Sequence, residues 1–143
     1  MEFKIKNLED LKNLSNLIKN NYWHQQFFLL KGPLGVGKTQ LIKFLLEEET
    51  ISPITSPTFS LLNTYMDKLG HIKYFHFDLY KKEEILFWQM EELGVYELLE
   101  NNKNKCFIEW PERLSFPVAG IEIIFSYENE NRIINIKDTR RIL

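Results

Sequence analysis

The chain has 143 residues, 44% hydrophobic and 27% charged, which suits one compact globular domain covering 1–143. Its net charge of −2 gives no global basic field that would hold RNA or DNA unaided. No apolar run approaches a membrane span, and residues 1–7 lack the apolar core of a signal peptide. The single cysteine, Cys106, excludes an internal disulfide or cysteine-rich zinc site, so a soluble cytoplasmic protein is expected.

Along the chain, Asn7 is placed to cap a helix that carries Leu8, Leu11, Leu14, Leu17 and Ile18 at helical spacing. Asp10 takes its third position, where the helix dipole favours a carboxylate. Phe27-Phe28-Leu29-Leu30 is a short unbroken apolar run, the pattern of a strand buried on both faces inside a parallel sheet. A glycine-rich loop follows, and Leu41, Ile42, Phe44, Leu45 and Leu46 then give a second helix its apolar face. Ser52-Pro53 and Ser56-Pro57 interrupt regular structure. Residues 59–65 and 72–78 read as extended, and Asp67-Lys68-Leu69-Gly70 joins them as the turn of an antiparallel hairpin. Residues 83–99 are expected to be helical, interrupted at Gly94. Residues 105–109 form a further strand, and 121–127 with 132–137 a second hairpin.

Gly32-Pro33-Leu34-Gly35-Val36-Gly37-Lys38-Thr39 reads as Gly, four residues, then Gly-Lys-Thr. Gly35 and Gly37 admit backbone conformations closed to other residues, so successive amides can turn toward phosphate oxygens at a helix N-terminus. The positions expected to touch a nucleotide are Gly35, Val36, Gly37, Lys38, Thr39 and Gln40. Lys38 would reach the β and γ phosphates, and the Thr39 hydroxyl is a hard oxygen ligand for Mg²⁺. The strand before and the helix after fit this use. The expected fold is therefore α/β: a P-loop NTPase-like three-layer domain whose mixed sheet is parallel at its centre and flanked by antiparallel hairpins.

A site for ATP with Mg²⁺ also needs an acid at a neighbouring strand end. Asp78 and Glu109 both end strands, and spacing alone does not rank them. His76 and Asp78, two residues apart, share one face of their strand. They are either aimed together at one site or form a surface hydrogen-bonded pair. Asp67-Lys68-Leu69-Gly70 matches the Asp-x-x-Gly element of GTPases, but no Asn-Lys-x-Asp guanine reader occurs, which favours adenine. Phe87, Trp88 and Met90 read as helix packing, or as a partner surface if exposed. Arg132 or Arg140 could approach phosphate or tRNA.

Four blocks in order carry a family resemblance: Gly-Pro-Leu-Gly-Val-Gly-Lys-Thr at 32–39, Ser-Pro-Thr-Phe at 56–59, His-Phe-Asp-Leu-Tyr at 76–80 and Ile-Glu-Trp-Pro-Glu at 108–112. Through them the chain resembles the TsaE (YjeE) family, the ATPase component of the bacterial system that makes threonylcarbamoyladenosine in tRNA. The resemblance implies ATP and Mg²⁺ as cofactors, with Lys38, Asp78 and Glu109 as the catalytic set. Thr39 and Glu109 would bind the metal, and Asp78 would sit near the γ-phosphate. Thr58 would sense that phosphate from a switch-like loop, and Asp10 and Leu11 would lie by the base. Trp110 would matter for activity or partner contact. The implied partners are TsaB- and TsaD-type threonylcarbamoyl-transferase proteins, with tRNA met only through that complex and no membrane involved.

Pro33, Gln40 and Lys81 depart from the family's frequent Asp, Thr and Arg. Two other readings compete. A small-molecule kinase would need an Arg-bearing lid, and no Arg-rich segment stands between Thr39 and Glu109. A nucleotide-dependent assembly factor would use binding without needing hydrolysis. No arginine finger is evident beside the switch, so slow hydrolysis is expected until a partner completes the site.

Overall fold

Phe27–Lys31 (β2) is the middle of a seven-stranded mixed sheet, with parallel neighbours on both sides. The computed structural model describes residues 1–51, 61–80, 97, 99–101 and 103–141. The strands are Glu2–Ile5 (β1), β2, Leu62–Met66 (β3), Ile72–Asp78 (β4), Lys105–Glu109 (β5), Ile121–Glu128 (β6) and Asn131–Asp138 (β7). Their order across the sheet is β1-β7-β6-β2-β5-β4-β3. The pairs β2–β5, β2–β6 and β4–β5 are parallel, whereas β3–β4, β6–β7 and β1–β7 are antiparallel. The expected mixed α/β sheet is what the chain forms.

The continuous apolar run of β2 is explained by burial on two sides. Phe28 and Leu30 join a core with Leu11, Leu14 and Ile18 of helix α1 (Leu8–Tyr22) and Leu41, Ile42 and Leu45 of helix α2 (Lys38–Leu46). Leu29, one residue out of phase, joins Phe75, Phe77, Cys106 and Ile108 in a second cluster. Each such side chain contributes about 1.5–3 kcal/mol when fully buried. Shifting β2 by one residue would therefore exchange both cores at once, which fixes the level of the loop that follows it.

Asn7 caps α1 as expected, its Oδ1 accepting the Asp10 N–H at 2.8 Å. Leu8 does not join the apolar stripe: it occupies the first helical position and is 58% exposed, a turn ahead of the buried residues. Asp67 makes the β3–β4 turn, accepting the N–H groups of Leu69 and His71 at 3.0 Å each. The Asp-x-x-Gly segment is thus a hairpin turn, with Gly70 at φ +86°. The strand β1 was not expected. It is a four-residue edge strand that alternates exposed and inward residues and pairs with the distant β7. The expected switch with Thr58, the helix interruption at Gly94, Lys81, and Phe87, Trp88 and Met90 lie outside the described residues. Among the described residues no helix is long and apolar enough to cross a membrane.

Candidate functional site

The loop between β2 and α2 opens at the C-terminal ends of the central parallel strands, the usual place for ligands in such sheets. Gly37 caps α2 at φ +115°, a conformation that strains any residue with a Cβ. The helix starts at Lys38, so its first-turn N–H groups and positive dipole end face the loop. Val36 is buried, and its N–H closes on the Pro33 carbonyl at 3.3 Å. Gln40 is half-buried in the first turn of α2.

Lys38 is held inside this mouth. Its Nζ donates to the Gly32 carbonyl and lies 3.8 Å from the centroid of the Trp110 ring. Burial pulls its ammonium below the ordinary lysine value, while the charges of Glu109, Glu112 and Asp78 act in the opposite direction. Trp110 reaches this place because the chain turns sharply after β5. Its backbone is left-handed (φ 62°, ψ 51°), its N–H donates to the Leu30 carbonyl at 3.2 Å, and its ring meets Tyr80 at 5.2 Å. A left-handed non-glycine residue costs roughly 1–2 kcal/mol. Arg113 follows on the same turn, 5.7 Å over the Trp110 ring.

The two strand-end acids sit opposite each other in register, Asp78 on β4 against Glu109 on β5, yet their surroundings differ. Glu109 is 3% exposed. The Thr39 hydroxyl donates to its Oε1 at 3.1 Å and to its Oε2 at 2.9 Å, and His76 Nε2 lies 2.6 Å from the same Oε2. Asp78 is only half-buried, and its Oδ1 accepts the Tyr80 N–H at 3.1 Å. Burial pushes the Asp78 carboxyl above the usual carboxylate range. The Tyr80 N–H opposes that shift and the Glu109 charge adds to it.

The structure therefore brings Lys38, Thr39, Glu109 and Asp78 to one end of the sheet. It does not make His76 and Asp78 a surface pair: His76 is fully buried and turned to Glu109. Leu11 and Arg132 also border the loop. A methyl group on Gly37 would lie 3.3 Å from Arg132 Nη1 and 3.9 Å from Leu11 Cδ2. Asp10 is occupied in capping, with its carboxylate accepting the Lys6 N–H at 2.9 Å. Arg140 is elsewhere: its guanidinium is forked on Asp138 at 3.0 and 2.7 Å, and it lines a separate cavity of about 500 Å³ with Lys73, Lys103 and Lys105. Sequence reasoning did not pair His76 with Glu109, although the two-residue phase that puts His76 on the Asp78 face was a usable signal.

A family profile described as threonylcarbamoyl adenosine biosynthesis protein TsaE matches residues 5–139. The tRNA threonylcarbamoyladenosine biosynthesis protein TsaE of Rickettsia conorii is 40% identical over 138 residues, covering 90% of this chain and 73% of that protein. Its counterpart in Rickettsia bellii is 36% identical over 138 residues, covering 90% and 88%. That of Nostoc sp. is 36% identical over 126 residues, covering 85% and 75%. The crystal structure of Bacillus subtilis YdiB shares the fold, with a TM-score of 0.67 over 97% of this chain and 85% of that one at 23% identity. With residues 5–139 matched and relatives this similar over most of its length, the chain belongs to the TsaE family of threonylcarbamoyl adenosine biosynthesis proteins.

Proposed function

We propose that this chain is a cytoplasmic, Mg²⁺-dependent ATPase subunit needed for threonylcarbamoyladenosine modification of tRNA. It acts on partner transferase proteins of the TsaB and TsaD type and meets tRNA through them. The observation that carries this reading is the meeting of Lys38, Thr39 and Glu109 at one strand end beneath a glycine-shaped loop.

A methyl group on Gly35 would meet nothing within 4 Å, which leaves space at the loop for phosphate. The loop amides and the α2 N-terminus supply donors there. Lys38 exchanges the Gly32 carbonyl and the Trp110 face for the β and γ phosphate oxygens. The donor set fits magnesium: a hydroxyl and both oxygens of one carboxylate, within 3.1 Å of each other, are hard oxygen ligands. When bound, the ion neutralises charge on the phosphate oxygens. Leu11 and Arg132 border the nucleotide, with Asp10 and Gln40 at its margins and Thr58 sensing the γ-phosphate. Water attacks the γ-phosphorus, the bond to the β–γ bridging oxygen breaks, and ADP leaves with the electron pair. Asp78, half-buried and with its carboxyl raised, is suited to accept the proton that water loses.

Asp78→Asn tests the hydrolytic step, because the amide oxygen can still accept the Tyr80 N–H. ATP affinity should stay within about threefold while turnover falls roughly 100-fold, the scale of general-base loss. Multiple-turnover tRNA modification with the partner transferase should fall in step. Full modification by this variant would mean that binding alone suffices, as for an assembly factor.

A further inference from the structure

The mechanism uses Glu109 but leaves open what holds it. A side chain at a strand end ordinarily turns in solvent, whereas Glu109 is 3% exposed and has His76 2.6 Å away from its Oε2. His76 is 0% exposed, on β4, with Tyr65 6.4 Å away ring to ring. Its Nδ1 is buried and has no hydrogen-bond partner among the described residues. Among the described residues the ring therefore has one polar contact, and that contact is the carboxylate. Nε2–H donates, because the Thr39 hydroxyl donates to the same Oε2 and a carboxylate offers lone pairs to both.

The two donors are not equivalent. The Thr39 hydroxyl has two tasks, to give a lone pair to the cation and its proton to Glu109. The imidazole has no such second task. We propose that His76 is a positioning residue that holds Glu109 oriented for the cation. This rests on the reading of Thr39 and Glu109 as the magnesium ligands, and a donor that orients a metal-binding carboxylate typically changes metal affinity 10–100-fold.

The test measures ADP affinity by calorimetry, with Mg²⁺ and with EDTA, for the wild type, His76→Leu, His76→Gln and Glu109→Gln. His76→Leu keeps bulk without a donor, whereas Gln can present an N–H near the position of Nε2. The expected result for His76→Leu is about a tenfold loss in the Mg²⁺-dependent gain in affinity. The EDTA value should stay within twofold, and His76→Gln should recover most of the loss. If Glu109→Gln loses the gain while His76→Leu keeps it within twofold, the positioning role fails and the metal reading stands. If Glu109→Gln keeps the gain, the metal reading itself fails. Equal losses with and without Mg²⁺, or no recovery by Gln, would make His76 a packing residue and overturn the proposal. A measurement on the intact protein covers the case in which His76→Leu does not fold. The protected His76 Nε2–H resonance should shift when Mg²⁺ is added to the ADP complex, and an unmoved signal overturns the proposal.

Discussion

Each end of the central parallel strands buries a lysine, and the two are built alike. At the loop end, Lys38 Nζ donates to the Gly32 carbonyl and sits over the Trp110 ring. At the other end, Lys105 Nζ donates to the carbonyls of Trp23 and Gln25 and lies 4.9 Å from the Trp23 ring. Burial lowers both ammonium groups, that of Lys105 to about 8. Their neighbours differ. Glu109, Glu112 and Asp78 oppose the shift at Lys38, whereas Lys73 deepens it at Lys105 and Glu49 only partly offsets that. An ammonium has three donors. Among the described residues, Lys105 commits two to backbone carbonyls and ties residues 23–25 to β5, whereas Lys38 commits one and stands where backbone donors gather. A buried cation is a brace where carbonyls take up its donors, and a binding group where they do not.

Lys38→Ala should break the loop end alone. ATP affinity should fall roughly 100-fold, since each charge-assisted hydrogen bond to phosphate supplies about 1.5–3 kcal/mol. The melting temperature should hardly move, because the deletion also removes a desolvated charge. Retained ATP affinity in calorimetry would show that Lys38, like Lys105, only braces the fold. The complementary change is Gly120→Ala, at the far end beside Phe27. A Cβ there would come 2.5 Å from the Phe27 carbonyl oxygen and 2.8 Å from its Cβ. We expect a loss of about 1–3 kcal/mol in urea unfolding from overpacking, with ATP affinity within twofold. A parallel loss of affinity would show that the two ends are mechanically coupled.

The loop end was legible where its chemistry is contiguous. Gly32 to Thr39 carries its own geometry in its glycines, and the apolar run of β2 announces two-sided burial. Glu109 and Asp78 could be found as strand ends but not ranked, because the difference lies in non-local contacts. β5 pairs with β4 so that Glu109 stands beside Asp78, but only Glu109 is reached by both His76 and Thr39. Trp110 was visible as a neighbour of Glu109, whereas its left-handed backbone, which lays the ring over Lys38, has no glycine to signal it. The bracing role of Lys105 was invisible for the same reason, since its acceptors lie 80 and 82 residues away in the chain. Edge strand β1 escaped because four alternating residues carry little signal, and its partner β7 is at the opposite end of the sequence.

The smallest expected effect separates the two lysines by pH. Unfolded Lys105 titrates near the ordinary lysine value of 10.5, and folded Lys105 near 8. Below pH 8 both states hold the proton, so the cost of burying the charge is constant. Between 8 and 10.5 the unfolded chain binds more protons, so stability rises with pH, at up to about 1.4 kcal/mol per unit. Tyr74, pushed up to about 12 by burial, acts with the opposite sign above pH 10, where the folded state keeps a proton that the unfolded chain loses. The rise is therefore best read from pH 8 to 10, as the urea midpoint of the wild type minus that of Lys105→Met. The subtraction cancels Lys38 and every other group common to both, and Met keeps the apolar stem without the charge. A difference that climbs with pH supports a desolvated ammonium at the far end. A flat difference would mean that water reaches Lys105 as it reaches a surface lysine, and the likeness between the two ends would then stop at their hydrogen bonds.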